Sequence, residues 1–138
     1  MKKKEKRTFI CLNCGKEQPL KKNSKGKYCD NKCQQEHFYK INIEKWKNGE
    51  LDGMRGKYSI SAFIRRYMLE KSHYRCSKCG WHEINPTTGV SPLTIHHIDG
   101  DYTNNKEENL EVLCPNCHSL TPNYGSLNKK GRKGKPRN

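Results

Sequence analysis

Apolar residues in this chain come in short, separated runs, and the spacing inside each run predicts an element. Phe38, Ile41 and Trp46 punctuate Gln34–Lys47 as packing positions of a helix, which Asn48-Gly49 would end. Ile60, Phe63, Ile64, Tyr67 and Met68 recur at helical spacing and predict a second helix, with Ser59 or Ser61 to cap it. Arg65 and Arg66 lie off that stripe. Between the two patterns, residues 49–58 (GELDGMRGKY) hold three glycines and predict a flexible connector. Further on the period changes. The β-branched run Leu93-Thr-Ile-His-His-Ile reads as a strand, Asp99-Gly100-Asp101 as a turn, and Asn109-Leu-Glu-Val-Leu as a returning strand. His118 then opens a short helix. Helices followed by a strand pair predict an α+β protein.

Composition limits how such a chain can be held together. Only 31% of its 138 residues are apolar and the mean hydropathy is −1.15, too little for a large core. One domain or two very small ones of this kind need a staple. Eight cysteines supply it, in the pairs Cys11/Cys14, Cys29/Cys33, Cys76/Cys79 and Cys114/Cys117. The start MKKKEKRTFI lacks the apolar stretch of a secretory signal, and no run reaches membrane-spanning length. A cytoplasmic location is expected. There, clustered cysteines favour zinc over disulfides. Sequential pairing places Cys11, Cys14, Cys29 and Cys33 on one Zn²⁺ and Cys76, Cys79, Cys114 and Cys117 on a second. Four thiolates leave no open coordination position, so both ions are expected to be structural.

Charge narrows the partner. The formal net charge is +14, divided as +8 over residues 1–40, +4 over 41–75, −4 over 76–127 and +6 over 128–138. Basic flanks around an acidic cassette suggest a polyphosphate partner, a nucleic acid, gripped by the flanks. The expected organisation is a basic disordered arm (1–8), a Cys₄ zinc module with its helix (9–48), a connector and amphipathic helix (49–75), a catalytic cassette (76–127) and a basic disordered tail (128–138).

The cassette contains Leu93–His118, LTIHHIDGDYTNNKEENLEVLCPNCH. Adjacent strand residues point to opposite faces, so one histidine of the His96-His97 pair can bind a cation while the other takes a proton. Such a division of labour suits metal-assisted hydrolysis. Asp99 and Asp101 read more simply as turn residues than as ligands.

The motifs HHIDGD, NNKEENLEVL and CPNCH, carrying His96-His97, Asn109 and His118, resemble the HNH endonucleases of the ββα-metal (His-Me finger) superfamily. The resemblance covers roughly Cys76–Asn123, and the rest is similar to small phage-borne HNH proteins. It implies a zinc-stapled ββα-metal fold and a metal-dependent hydrolase that cleaves DNA, leaving 5′-phosphate and 3′-hydroxyl ends. His96 and His118 would hold the catalytic divalent ion, Mg²⁺ or another. His97 would be the general base, and Asn109 would brace the loop between the strands. Some family members add a histidine four residues beyond the last ligand, where this chain has Pro122; Asn123, or water and phosphate, would then complete the shell. The alternative readings are a non-catalytic zinc-dependent nucleic-acid-binding module, or the nuclease subunit of a phage packaging complex beside terminase or portal proteins.

Overall fold

The computed structural model describes residues 7–130, so most of the basic arm and tail lies outside the described residues. Two compact units divide at Glu44/Lys45.

In the first unit, strands β1 (Thr8–Ile10) and β2 (Glu17–Pro19) pair antiparallel, Phe9 opposite Gln18. The loop joining them is the first knuckle. The Gly15 N–H donates to the Cys11 carbonyl at 2.9 Å, and the Cys11 N–H donates to Lys16 at 3.0 Å. Gly15 sits at φ +70°, a left-handed conformation that a side chain would strain. Helix α1 (Asn31–Lys47) starts where Asp30 accepts a hydrogen bond from the Cys33 N–H at 2.7 Å, an N-cap that fixes Cys33 on the first turn. Its end is a Schellman motif: Gly49 N–H donates to Trp46 and Glu50 N–H to Lys45. The unit boundary falls inside α1, and its last turn belongs with the second unit.

The second unit begins at that turn. Residues 49–58 are not all connector: β3 (Met54–Arg55) and β4 (Ser59–Ile60) form a small antiparallel hairpin. Strands two residues long leave no alternation for the sequence to display. Helix α2 (Ala62–Lys71) follows, and of the expected stripe Ile64 and Met68 are buried, joined by Leu69. Ser61 stands at its N-cap but makes no side-chain capping bond. Arg65 donates to the Leu93 carbonyl at 3.0 Å, tying α2 to the segment before β5, while Arg66 pairs with Glu70 one turn on along the exposed side of the same helix.

Strands β5 (Thr94–His97) and β6 (Leu110–Leu113) pair antiparallel with His96 opposite Glu111 and His97 opposite Leu110. Both faces of the pair are covered at β6: Leu110 and Val112 on one and Leu113 on the other are buried, and Leu93 and Ile64 are nearly inaccessible with them. Helix α3 (Pro115–Ser119) leaves β6 at once. Cys114 is its N-cap and Pro115 its first residue, a position where a missing N–H costs nothing. The helix therefore starts three residues before His118. The second knuckle is tied to the sheet by the Ser77 N–H, which donates to Val112 at 2.8 Å. Among the described residues, no helix is long and apolar enough to cross a membrane.

Candidate active site and zinc centres

The two cysteine sets assemble as spacing implied. In each of the groups Cys11/Cys14/Cys29/Cys33 and Cys76/Cys79/Cys114/Cys117, the sulfurs all lie within 4.8 Å of one another. Four sulfurs about 2.3 Å from one tetrahedral zinc would lie roughly 3.8 Å apart. The contacts Cys14–Cys29 at 3.5 Å and Cys79–Cys114 at 3.7 Å match that and are far too long for a disulfide. Electrostatics prepares one thiolate in each. The Cys14 backbone N–H leads in holding the Cys11 thiol down at about 6. Burial opposes the Cys76 thiolate, but backbone N–H groups of Cys114, Cys79 and Lys78 bring it to about 6 as well. Cys117 is pushed up to about 12 by hydrogen bonding to Cys79 and Cys114, and Cys29 to about 12 by burial and then by Cys14. Such a set fits an ion that displaces the remaining protons on binding.

Between the ligand pairs of the second group lies the histidine cluster. His96, on β5, is buried, and its ring centroid is 5.3 Å from that of His118 on α3. Burial and then the neighbouring His118 lower the pKa of His96, and burial lowers that of His118. Both rings are thereby kept neutral, with nitrogen lone pairs free to ligate. Glu111 approaches His96 only to 4.0 Å and is shared with Lys78 at 3.8 Å. Tyr124 packs edge-on against His118, with centroids 5.1 Å apart.

His97, next along β5, takes the other strand face. Its Nε2 lies 2.8 Å from Asn105 Oδ1, and among the described residues its Nδ1 has no hydrogen-bond partner. Asn109 is buried and satisfied on both ends of its amide. Oδ1 accepts from the Asp99 N–H at 3.0 Å, while Nδ2 donates to Asp99 Oδ1 at 3.0 Å and to the Asn104 carbonyl at 2.8 Å. Three bonds thus close the loop that follows the histidine pair. Asp99 and Asp101 are consumed by that loop, accepting from Asp101, Asn104 and Thr103. Asn123 Nδ2 donates to the carbonyls of His97 and Ile98, both at 3.2 Å, and its Oδ1 is buried with no partner among the described residues.

Sequence reasoning overlooked Asn105. Its side chain meets His97, Asp52 and Met54, and its carbonyl accepts from the Trp46 indole N–H at 2.8 Å. The only signal was its place in an asparagine-rich run that also reads as a turn.

A ββα segment that sets two histidines beside one structural Cys₄ centre defines a class. Residues 76–122 match the model of the HNH endonuclease family. Similar curated proteins include H-N-H endonuclease F-TflIV of Escherichia phage T5, 41% identical over 55 residues, covering 40% of this chain and 23% of that protein. Zorya protein ZorE of Escherichia coli is 37% identical over 59 residues, 43% of this chain and 15% of its own. YajD of Salmonella typhimurium, which also carries the HNH name, is 34% identical over 61 residues, 43% of this chain and 51% of its own. The chain therefore spans about half or less of the length of these relatives. No solved structure matches the chain.

Proposed function

We propose that this protein is a metal-dependent endonuclease that hydrolyses DNA phosphodiester bonds. The observation that carries the reading is the pairing of two neutral imidazoles, buried His96 and half-buried His118, with ring centroids 5.3 Å apart, and a third, His97, on the opposite strand face. His96 and His118 ligate a divalent ion, Mg²⁺ or a softer ion such as Mn²⁺. When bound, that ion neutralises charge on the phosphate and stabilises the leaving oxygen. His97 takes the proton of the attacking water. Asn109 keeps the loop after the pair closed and so fixes the direction in which His97 leaves the strand. Asn123 Oδ1, buried without a partner, is available to complete the ion's shell. The two Cys₄ groups hold structural Zn²⁺, the second of which fixes where α3 begins and so where His118 stands.

Binding is supplied from outside the cassette. Residues 76–127 carry −4 and the remainder of the chain +18, so the phosphate backbone is neutralised chiefly by the flanks. The deciding experiment is a supercoiled-plasmid assay with Mg²⁺, Mn²⁺ or EDTA on the wild type and His97→Ala. Loss of the supercoiled band only with metal and only in the wild type is expected, with zinc content and DNA binding equal in both. Equal nicking by the two proteins would instead leave a non-catalytic zinc-dependent nucleic-acid-binding module.

A further inference from the structure

We infer that Asn105 is the residue that fixes the tautomer of His97, making Nδ1 the nitrogen that accepts the water proton. The role assigned to Nδ1 rests on the nuclease reading; the tautomer itself does not.

The amide of Asn105 has one acceptor and two donors, and its surroundings permit one orientation. Nδ2 lies 3.2 Å from the Asp52 carbonyl oxygen and 3.0 Å from the Met54 sulfur, both acceptors. Oδ1 lies 2.8 Å from His97 Nε2. Turning the amide over would set its oxygen against the carbonyl of Asp52 and the sulfur of Met54, so that three acceptors would meet without a donor between them. With Oδ1 towards the ring, Nε2 must carry the hydrogen and donate it. In the neutral imidazole the lone pair then sits on Nδ1. Asn105 is only 3% exposed, so water does not readily replace this bond.

Its backbone is held as firmly as its side chain. The buried Trp46 indole donates to the Asn105 carbonyl, and a Cβ on Gly53 would come within 3.1 Å of Asn105 Cβ, so the glycine lets the two segments approach. Residues 46–54, which lie before the family-matched segment, thus shape the base inside it. A water would lose its proton to Nδ1 as its oxygen bonds to phosphorus. The P–O3′ bond breaks, and the 3′ oxygen takes a proton from solvent. Asn105 touches neither substrate nor metal; it is a positioning residue.

The test reads the tautomer directly, on the full zinc-loaded chain, from ¹⁵N shifts and long-range couplings of the His97 ring without DNA or catalytic metal. The wild type should show the Nε2–H form. Asn105→Ala should show mixed tautomers and a single-turnover cleavage rate about 10–100-fold lower, with DNA affinity within about threefold. Asn105→Asp keeps an oxygen acceptor for Nε2–H and should hold the Nε2–H tautomer, at a cost in stability because its second oxygen then faces the Asp52 carbonyl and the Met54 sulfur. An Nδ1–H signal in the wild type would overturn the inference, whether or not Asn105→Ala folds. So would Nε2–H unchanged in Asn105→Ala with an unchanged rate. A wild type that is Nε2–H yet cleaves nothing would sink the nuclease reading while the tautomer assignment stands.

Discussion

Asn109→Asp is the sharpest test of how the loop behind the histidine pair is closed, because it changes two hydrogens and a charge but almost no volume. The asparagine accepts one bond and donates two, to Asp99 Oδ1 and the Asn104 carbonyl. An aspartate keeps the acceptor but presents a carboxylate oxygen to both former acceptors. At the 3.0 Å separation of Asn109 Nδ2 and Asp99 Oδ1, two unit charges repel by about 1.4 kcal/mol in water and about 5.5 kcal/mol at an effective dielectric of 20. Asp99 is exposed, so the effect falls near the lower end, roughly 1.5–3 kcal/mol. Two lost donated bonds add about 1 kcal/mol each. Asn109→Asp should therefore destabilise by about 3–5 kcal/mol at pH 7.5, against about 2–3 kcal/mol for Asn109→Ala, which loses three bonds without gaining a charge.

The two variants also separate by pH. Burial raises the wild-type Asp99 pKa, but bonds from Asn104, Asp101 and Asn109 outweigh it and leave the carboxyl below its ordinary value. In Asn109→Asp one donor becomes a like charge, and the facing pair takes up its first proton above the usual carboxylate range. The deficit relative to Asn109→Ala should then shrink between pH 7.5 and pH 5.5. Urea denaturation followed by tryptophan fluorescence, with zinc content checked at each pH, measures both quantities. Wild-type stability in Asn109→Asp at pH 7.5, or a deficit that does not change on acidification, would refute the bonding scheme.

Cys76→Ser should lower the bound zinc by one equivalent per chain and abolish the cooperative melt of the second unit, read by metal analysis and calorimetry; retention of two zincs would contradict the Cys₄ assignment. Glu107→Gln should cost about 1 kcal/mol at neutral pH. Burial opposes the Glu107 carboxylate, but Lys71 and Tyr67 hold its folded pKa below the ordinary 4.5, so its contribution is full above that value and lost as pH falls through the folded one. A variant deficit that persisted at pH 3 would contradict this origin. Removing residues 1–8 and 128–138 should weaken DNA binding and flatten its dependence on salt, measured by fluorescence anisotropy from 50 to about 200 mM salt, while single-turnover cleavage at saturating enzyme survives. An unchanged salt slope would place the grip elsewhere.

What could be read from the sequence and what could not divide by the distance between partners. Cysteine pairs, the His96-His97 doublet and His118 announce themselves because a metal needs particular donors at short spacing, and the structure gathers both Cys₄ groups and sets His96 beside His118. Strands β5 and β6 were legible because β-branched residues fill Thr94-Ile95 and Leu110-Glu111-Val112 alternates apolar and polar positions. The β3–β4 hairpin was not, since two-residue strands carry no period and the glycines beside them, Gly53 and Gly56, read as a flexible connector. Asn105 was hidden for a different reason. Its meaning comes from Asp52 and Trp46, which are 53 and 59 residues earlier in the chain, and no local pattern encodes that meeting. The ligands are thus written in the sequence as chemistry, whereas the groups that orient them are written only as packing. Trp46 shows how the two become one: its burial looks like ordinary core, yet its indole N–H ends on the carbonyl of the residue that faces the His97 ring. A core residue that anchors a polar holder in this way transmits any change in its position to the His97 ring, so substitutions at Trp46 that preserve volume but not the N–H would disturb the placing of that ring before they disturb the fold.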